Sequence, residues 1–144
     1  MGHLASFPKL TTVVGLKSQH LTEVGIGHLQ QLPNVTALNV VAATDEDLER
    51  LKPLAHLTDL TFDYHQFSPS GLEALSEFPK LEDLSLSARP NFDDSYWPPL
   101  VRLSKLRKLN LQDVKVTAEG IAKFREQRPE VWLNVNGTEY PAKK

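Results

Sequence analysis

The sequence predicts an α/β solenoid, a stack of strand–turn–helix units with the strands on one side and short helices on the other. Three observations carry this reading. First, the phrase L-x-x-L-x-x-L-x-L, with Val or Phe admitted at the leucine places, recurs as Leu32, Val35, Leu38, Val40, then Leu54, Leu57, Leu60, Phe62, then Phe78, Leu81, Leu84, Leu86, then Leu103, Leu106, Leu109, Leu111. Second, a different phrase alternates with it. LTEVGIGHL at 21–29 and VTAEGIAKF at 116–124 share one pattern, and ATDEDLERL, FSPSGLEAL and FDDSYWPPL are its variants. Third, anchored on Val13, Leu38, Leu60, Leu84, Leu109 and Leu133, the units advance by 25, 22, 24, 25 and 24 residues. So small a drift over 144 residues is the mark of a repeat.

The elements follow in order. A first strand phrase runs through Phe7, Leu10 and Val13 and closes at Gly15 or Leu16; a compressed last one holds Val131, Leu133 and Val135. Each L-x-L has the period of two expected of a strand. Each alternate phrase opens on a small polar residue, Thr22, Thr44, Ser68, Asp93 or Thr117. Their side-chain oxygens can accept from the free amides of a first helical turn. Glu23, Asp45, Glu46, Asp47 and Glu119 follow inside that turn, where the helix dipole favours acids. Apolar positions then step by three, as in Leu48, Leu51 and Leu54, and Pro8, Pro33, Pro79 and Pro129 stand before the next strand phrases. The expected organisation is a single domain over 1–144, with an N-terminal cap and first strand in 1–16, repeats in 17–128 and a C-terminal cap in 129–144.

The stretch LRKLNLQDVKVTAEGI at 106–121 resembles the leucine-rich repeat family, in its ribonuclease-inhibitor-like or bacterial V-T-D-x-G-L subclass, and the resemblance covers about 7–135. It implies a short right-handed βα horseshoe with about six parallel strands on the concave face and helices on the convex face. It also implies a recognition scaffold. The chain departs from the pattern in places. The second unit is two residues short, Asp47 and Tyr96 stand where Gly is usual, and Ala43, His65, Arg89 and Val114 replace the Asn that follows the last strand leucine. The backbone groups of those turns must therefore find other partners.

Composition excludes several classes. A net charge of −2 and a pI of about 6.2 provide no basic field for nucleic acid; the cations are scattered apart from Arg102, Lys105, Arg107 and Lys108. The absence of cysteine excludes a disulfide framework and cysteine-based zinc sites. No apolar run is long enough to span a membrane, and MGHLASFPKL lacks a secretory leader, so a soluble, cytoplasmic protein is expected.

One face carries the candidate site. If the repeat leucines point inward, the residues between them point to the concave side. The middle column is Val14, Asn39, Thr61, Ser85, Asn110 and Asn134. The column before it is Thr12, Ala37, Asp59, Asp83, Lys108 and Trp132, and the column after it is Leu16, Val41, Asp63, Ser87, Gln112 and Asn136. Asn39, Asp59, Thr61, Asp63, Asp83, Ser85, Lys108, Asn110, Gln112, Trp132 and Asn134 form the candidate partner-binding set. The wall is acidic in the middle, amide-rich, and aromatic at one end. That chemistry suits a protein or peptide of basic or mixed charge, although any such wall is also polar for solubility. In the fourth turn, alignment puts Phe92 and Trp97 in the core and leaves Tyr96, in the glycine place, as an exposed candidate contact.

No metal ligands and no cofactor are assigned: His3, His20, His28, His56 and His65 do not converge, and His65 reads as a satisfied turn histidine. No catalytic residues are assigned either, since no nucleophile motif or phosphate loop occurs. The leading expectation is therefore a non-catalytic protein-interaction module, monomeric. The alternative is a structural role, either self-association end to end through an exposed strand in WLNVNGTEYPAKK or a fragment of a larger solenoid assembly; the weakest is an enzyme built on the Asp59–Asp83 carboxylates.

Overall fold

A computed structural model describes residues 9–88 and 92–143. The expected N-terminal cap with His3, Phe7 and Pro8, and the turn residues Arg89 and Pro90, lie outside the described residues. Seven strands form one sheet in chain order: β1 (Thr12–Lys17), β2 (Ala37–Val41), β3 (Asp59–His65), β4 (Asp83–Ala88), β5 (Lys108–Gln112), β6 (Trp132–Val135) and β7 (Thr138–Tyr140). The first six pair in parallel, and β7 returns antiparallel on β6. The molecule is an α/β leucine-rich-repeat solenoid.

The anchors of the repeat align as register partners, Val13 with Leu38, Leu60, Leu84, Leu109 and Leu133. A second inward column holds Val40, Phe62, Leu86, Leu111 and Val135, and from Leu38 onward both columns are buried. A single unit could not remove these side chains from water; stacking does so for all of them at once. One backbone bond repeats below the strands from unit to unit: Thr36 N–H to Thr11, Thr58 to Thr36, Glu82 to Thr58, Arg107 to Glu82 and Trp132 to Arg107.

On the other side lie α1 (Glu23–Gln30), α2 (Asp45–Leu51), a 3₁₀ segment Gly71–Glu77, a 3₁₀ turn Asp94–Tyr96 running into α3 (Trp97–Val101), and α4 (Ala118–Gln127). The third unit is 3₁₀, and its apolar residues Leu72, Leu75 and Phe78, all buried, step by three. That spacing eclipses on a helix of three residues per turn. The expected caps form: Gly25 N–H donates to Thr22 Oγ1, Gly71 N–H to Ser68 Oγ, Ser95 N–H to Asp93 Oδ1 and Gly120 N–H to Thr117 Oγ1. In the second unit the direction is reversed, with Thr44 donating its N–H and Oγ1–H to Asp47 Oδ2.

The turns that follow these strands use a left-handed residue near their start: Ala42, Tyr64 and Asp113 have φ of 57°, 54° and 58°. Backbone bonds then cross between units, Ala42 N–H to Asp63 O and Gln66 N–H to Ala43 O, both at 2.8 Å. In the fifth turn the last unit supplies the amide, because Asn136 Oδ1 accepts from Val114 N–H and its Nδ2 donates to Val114 O.

Two placements differ from the sequence reading. The register of β1 slips between Val13 and Leu16, so Leu16 pairs with Val40 and packs against the core, while Lys17 takes the place opposite Val41. Gly15, at φ 71°, absorbs the extra residue as a bulge. At the other end, Asn136-Gly137 adopts φ of 50° and 85° and closes the β6–β7 hairpin. The dipeptide Asn-Gly tolerates two consecutive positive φ values, which is what such a tight hairpin requires. The outer edge of β6, expected to lie open for self-association, is therefore paired by β7; Tyr140 in turn lies 5.2 Å beneath the Arg125 guanidinium. Asn136, assigned to the third concave column, is a turn residue.

Candidate functional site

Alternation along β2–β6 sends every second side chain to the open side of the sheet, and nine of the eleven candidate residues converge there. Asp59, Thr61, Asp83, Ser85, Lys108, Asn110, Gln112, Trp132 and Asn134 line a shallow bowl of about 460 Å³. Asn39 and Asp63 lie beside it, joined by a 2.7 Å bond from Asn39 Nδ2 to Asp63 Oδ2.

The bowl is polarised. Asp59, Asp83, Lys108 and Trp132 are successive register partners on β3, β4, β5 and β6. Thr58 Oγ1 donates to Asp59 Oδ2. Partial burial, then the Asp59 carboxylate beside it, pushes the Asp83 carboxyl above its ordinary range, and Lys108 pulls it back in part. Among the described residues seven ion pairs form elsewhere, and none includes Asp59, Asp63, Asp83 or Lys108. The Lys108 ammonium instead lies 5.2 Å from the centroid of the Trp132 ring, within reach of a cation–π contact.

Between the charges runs an amide chain. Asn110 Nδ2 donates to Ser85 Oγ at 2.9 Å, and Gln112 Nε2 donates to Asn110 Oδ1 at 2.9 Å and to Asn134 Oδ1 at 3.3 Å. Gly137 N–H also donates to Asn134 Oδ1, so the terminal hairpin steadies the aromatic end of the wall. The arrangement holds a hydrogen-bonded row of polar groups across the sheet.

Tyr96 is not on this or any other exposed surface. It is 8 % exposed, its ring stacks on Phe92 with centroids 4.1 Å apart, and its hydroxyl donates to Phe67 O at 2.9 Å. At Gly71 and Gly120 the same space is filled by Asp45 and Asp94 of the preceding unit, whereas the unit before Tyr96 carries Pro69 at that position. Burial raises the phenol's pKa. Phe92 and Trp97 are core residues, as the alignment implies.

His65 also differs from expectation. It is 4 % exposed, stacked on Phe67 at 4.5 Å, and accepts from Phe67 N–H at Nδ1, while its Nε2 has no partner. Burial, opposed by the Asp45 carboxylate, lowers its pKa to about 4. It points inward and Asp63 outward, so the two do not converge, and among the described residues no group of three His, Asp or Glu side chains is placed to hold a metal ion.

Two features have no counterpart in the sequence reading. Tyr64 is 59 % exposed beside the upper rim of β3 in a left-handed conformation; only its place before an inward residue hinted at a turn. A groove of about 610 Å³ runs between α3 and α4, floored by Trp97, Val101 and Phe124. Asp94, Gly120 and Lys123 stand along its walls.

No family model matches the chain, and no curated protein matches it. Among solved structures it is similar to a leucine-rich repeat protein of Leptospira interrogans, at 19 % identity and a TM-score of 0.55 over 92 % of this chain. The chain spans about a third of that protein's length, 33 %. The likeness is one of fold.

Proposed function

We propose that the chain is a non-catalytic protein-interaction module that engages a protein or peptide through the concave sheet face. The leucine-rich-repeat fold favours an interaction role in general, but a fold hosts many functions. The observation that carries the reading to this face is a set of charges with no salt bridge among the described residues: Asp59, Asp63 and Asp83 on adjacent strands, with the Lys108 ammonium over Trp132. A partner that brings its own counter-charges gains both attraction and orientation there.

The test is capture of the native partner by wild-type chain and by Asp59→Lys with Asp83→Lys. Both aspartates are half-buried on a solvated wall rather than in the core, so the melting temperature is expected to hold while capture is lost. Undiminished capture by the double variant would place the interface elsewhere. The self-associating alternative has less support than the sequence suggested, because β7 covers the edge it relied on. No helix among the described residues is long and apolar enough to cross a membrane.

A further inference from the structure

The partner chemistry can be narrowed, on the premise that the concave face is the interface. Asp83 and Lys108 are register partners on adjacent strands, a spacing of about 4.8 Å over which opposite charges pair readily. They form no ion pair; the ammonium is drawn one strand further, over Trp132. The bowl thus keeps its two signs apart. The Asp59–Asp83 pair lies over β3 and β4, and the Lys108–Trp132 pair over β5 and β6, two strand spacings or about 10 Å away. Ser85 and Asn110 bridge the gap with groups able to bond a peptide backbone.

A ligand that answers both ends needs a cation and an anion about 10 Å apart on the same side. A strand puts residues i and i+3 on opposite faces. A polyproline-II segment puts them on one face, about 9.3 Å apart. A bowl of about 460 Å³ falls in the roughly 300–1,000 Å³ of small-ligand pockets, room for a few residues. We propose that the bowl takes an extended, polyproline-II-like peptide segment with a basic and an acidic side chain three residues apart, the basic one over Asp59 and Asp83 and the acidic one on Lys108, with the segment's apolar stem against Trp132.

Three synthetic probes test this: acetyl-Lys-Pro-Pro-Glu-amide, acetyl-Lys-Pro-Pro-Lys-amide and acetyl-Glu-Pro-Pro-Glu-amide. Each is titrated into the whole chain, and binding is followed by the amide shifts of β3–β6. The mixed-charge probe is expected to bind at least about fivefold tighter than either like-charge probe. Lys108→Glu should reverse the order in favour of the doubly basic probe, and Lys108→Gln should erase the advantage of the acidic end; a melting curve verifies that each variant is folded. Equal binding of the three probes, no binding, or an order indifferent to Lys108→Glu overturns the inference. If the probes fail while the Asp59→Lys, Asp83→Lys chain still loses its native partner, the concave-face reading stands and this inference alone falls. If the probes are discriminated while native capture survives the double reversal, the ligand class holds and the native interface lies elsewhere.

Discussion

The carboxylate of Asp94 occupies the space that a side chain at Gly120 would need. A Cβ built there would collide with Asp94 Oδ1 and lie 2.6 Å from Trp97 Nε1. Asp94 uses the vacancy to accept from Thr117 N–H at 2.9 Å, from the Thr117 hydroxyl, and from Trp97 Nε1 at 3.1 Å. The Thr117 hydroxyl bond is the main reason its pKa is lowered. The same device appears two units earlier, where Asp45 accepts from Ser68 N–H and Oγ beside Gly71. An aspartate that opens one helix therefore ties down the cap of the next, and the glycine of the repeated phrase makes room for it. In the second and fourth units, which lack that pairing, the glycine place holds Asp47 and Tyr96; in the first it holds Gly25, whose would-be Cβ meets His20 O instead.

Gly120→Ala and Gly71→Ala should each cost about 1–3 kcal/mol, the range for overpacking. Gly27, inside α1 with nothing within 4 Å of its would-be Cβ, is the control. Gly27→Ala should stabilise by roughly 0.4–1 kcal/mol. Urea unfolding compares the three. A double-mutant cycle of Asp94→Ala with Gly120→Ala should show clear coupling, since removing the carboxylate frees the space.

His65 should make the fold sensitive to acid. Its folded pKa, about 4, lies below the ordinary 6.5, so between those values the unfolded chain binds a proton that the folded chain refuses. Stability is therefore complete above pH 6.5 and is lost as the pH falls toward 4, by on the order of 3 kcal/mol from this residue. His65→Leu should lose less stability between pH 7.5 and 4.5 than the wild type does. Equal losses in the two chains would mean that the buried ring is not the source.

Arg128 is a buried cation that the repeat pattern does not announce. Its Nη1 donates to Val101 O and Leu103 O, its Nη2 to Leu106 O, and its Nε to Glu130 Oε1 at 2.6 Å. It closes the carbonyls at the end of the fourth unit. Arg128→Met would leave those acceptors buried without donors, at a cost of roughly 3 kcal/mol. Arg128→Lys should recover only part of this, because a single ammonium cannot reproduce the planar fork. Thermal melts of both variants measure the difference.

The terminal hairpin should keep the chain monomeric. Gly137 sits at φ 85°, where a β-branched residue is strained. Gly137→Val should loosen β7 and bare the edge of β6, which is then a template for pairing with another chain. Light scattering across a concentration series should show association for Gly137→Val and none for the wild type.

What could be read in advance follows from the kind of signal each residue carries. Leu38, Leu60, Leu84, Leu109 and Leu133 announce the stack because the same physical demand, burial between neighbours, is repeated five times in the chain. The outward residues between them follow from a period of two, which is why Asp59, Asp83 and Lys108 could be placed on one wall. Tyr96 was misplaced because its slot was judged by its own unit, whereas the unit before it carries Pro69 at the position from which Asp45 and Asp94 fill the space at Gly71 and Gly120. Leu16 was misplaced because a bulge at Gly15 shifts the register by one residue without altering the apolar pattern. The charge separation between Asp83 and Lys108 was beyond reach of the letters, since register neighbours of opposite sign would ordinarily be paired.

The central claim is that partners dock on the strand face. Site-specific photo-crosslinking tests it most directly, with a photoreactive residue placed at Ser85 in the middle of the wall in one chain and at Ala122, exposed on α4, in another. In the native cell, crosslinks to a partner are expected from position 85 and not from position 122. Crosslinks from 122 with none from 85 would contradict the account.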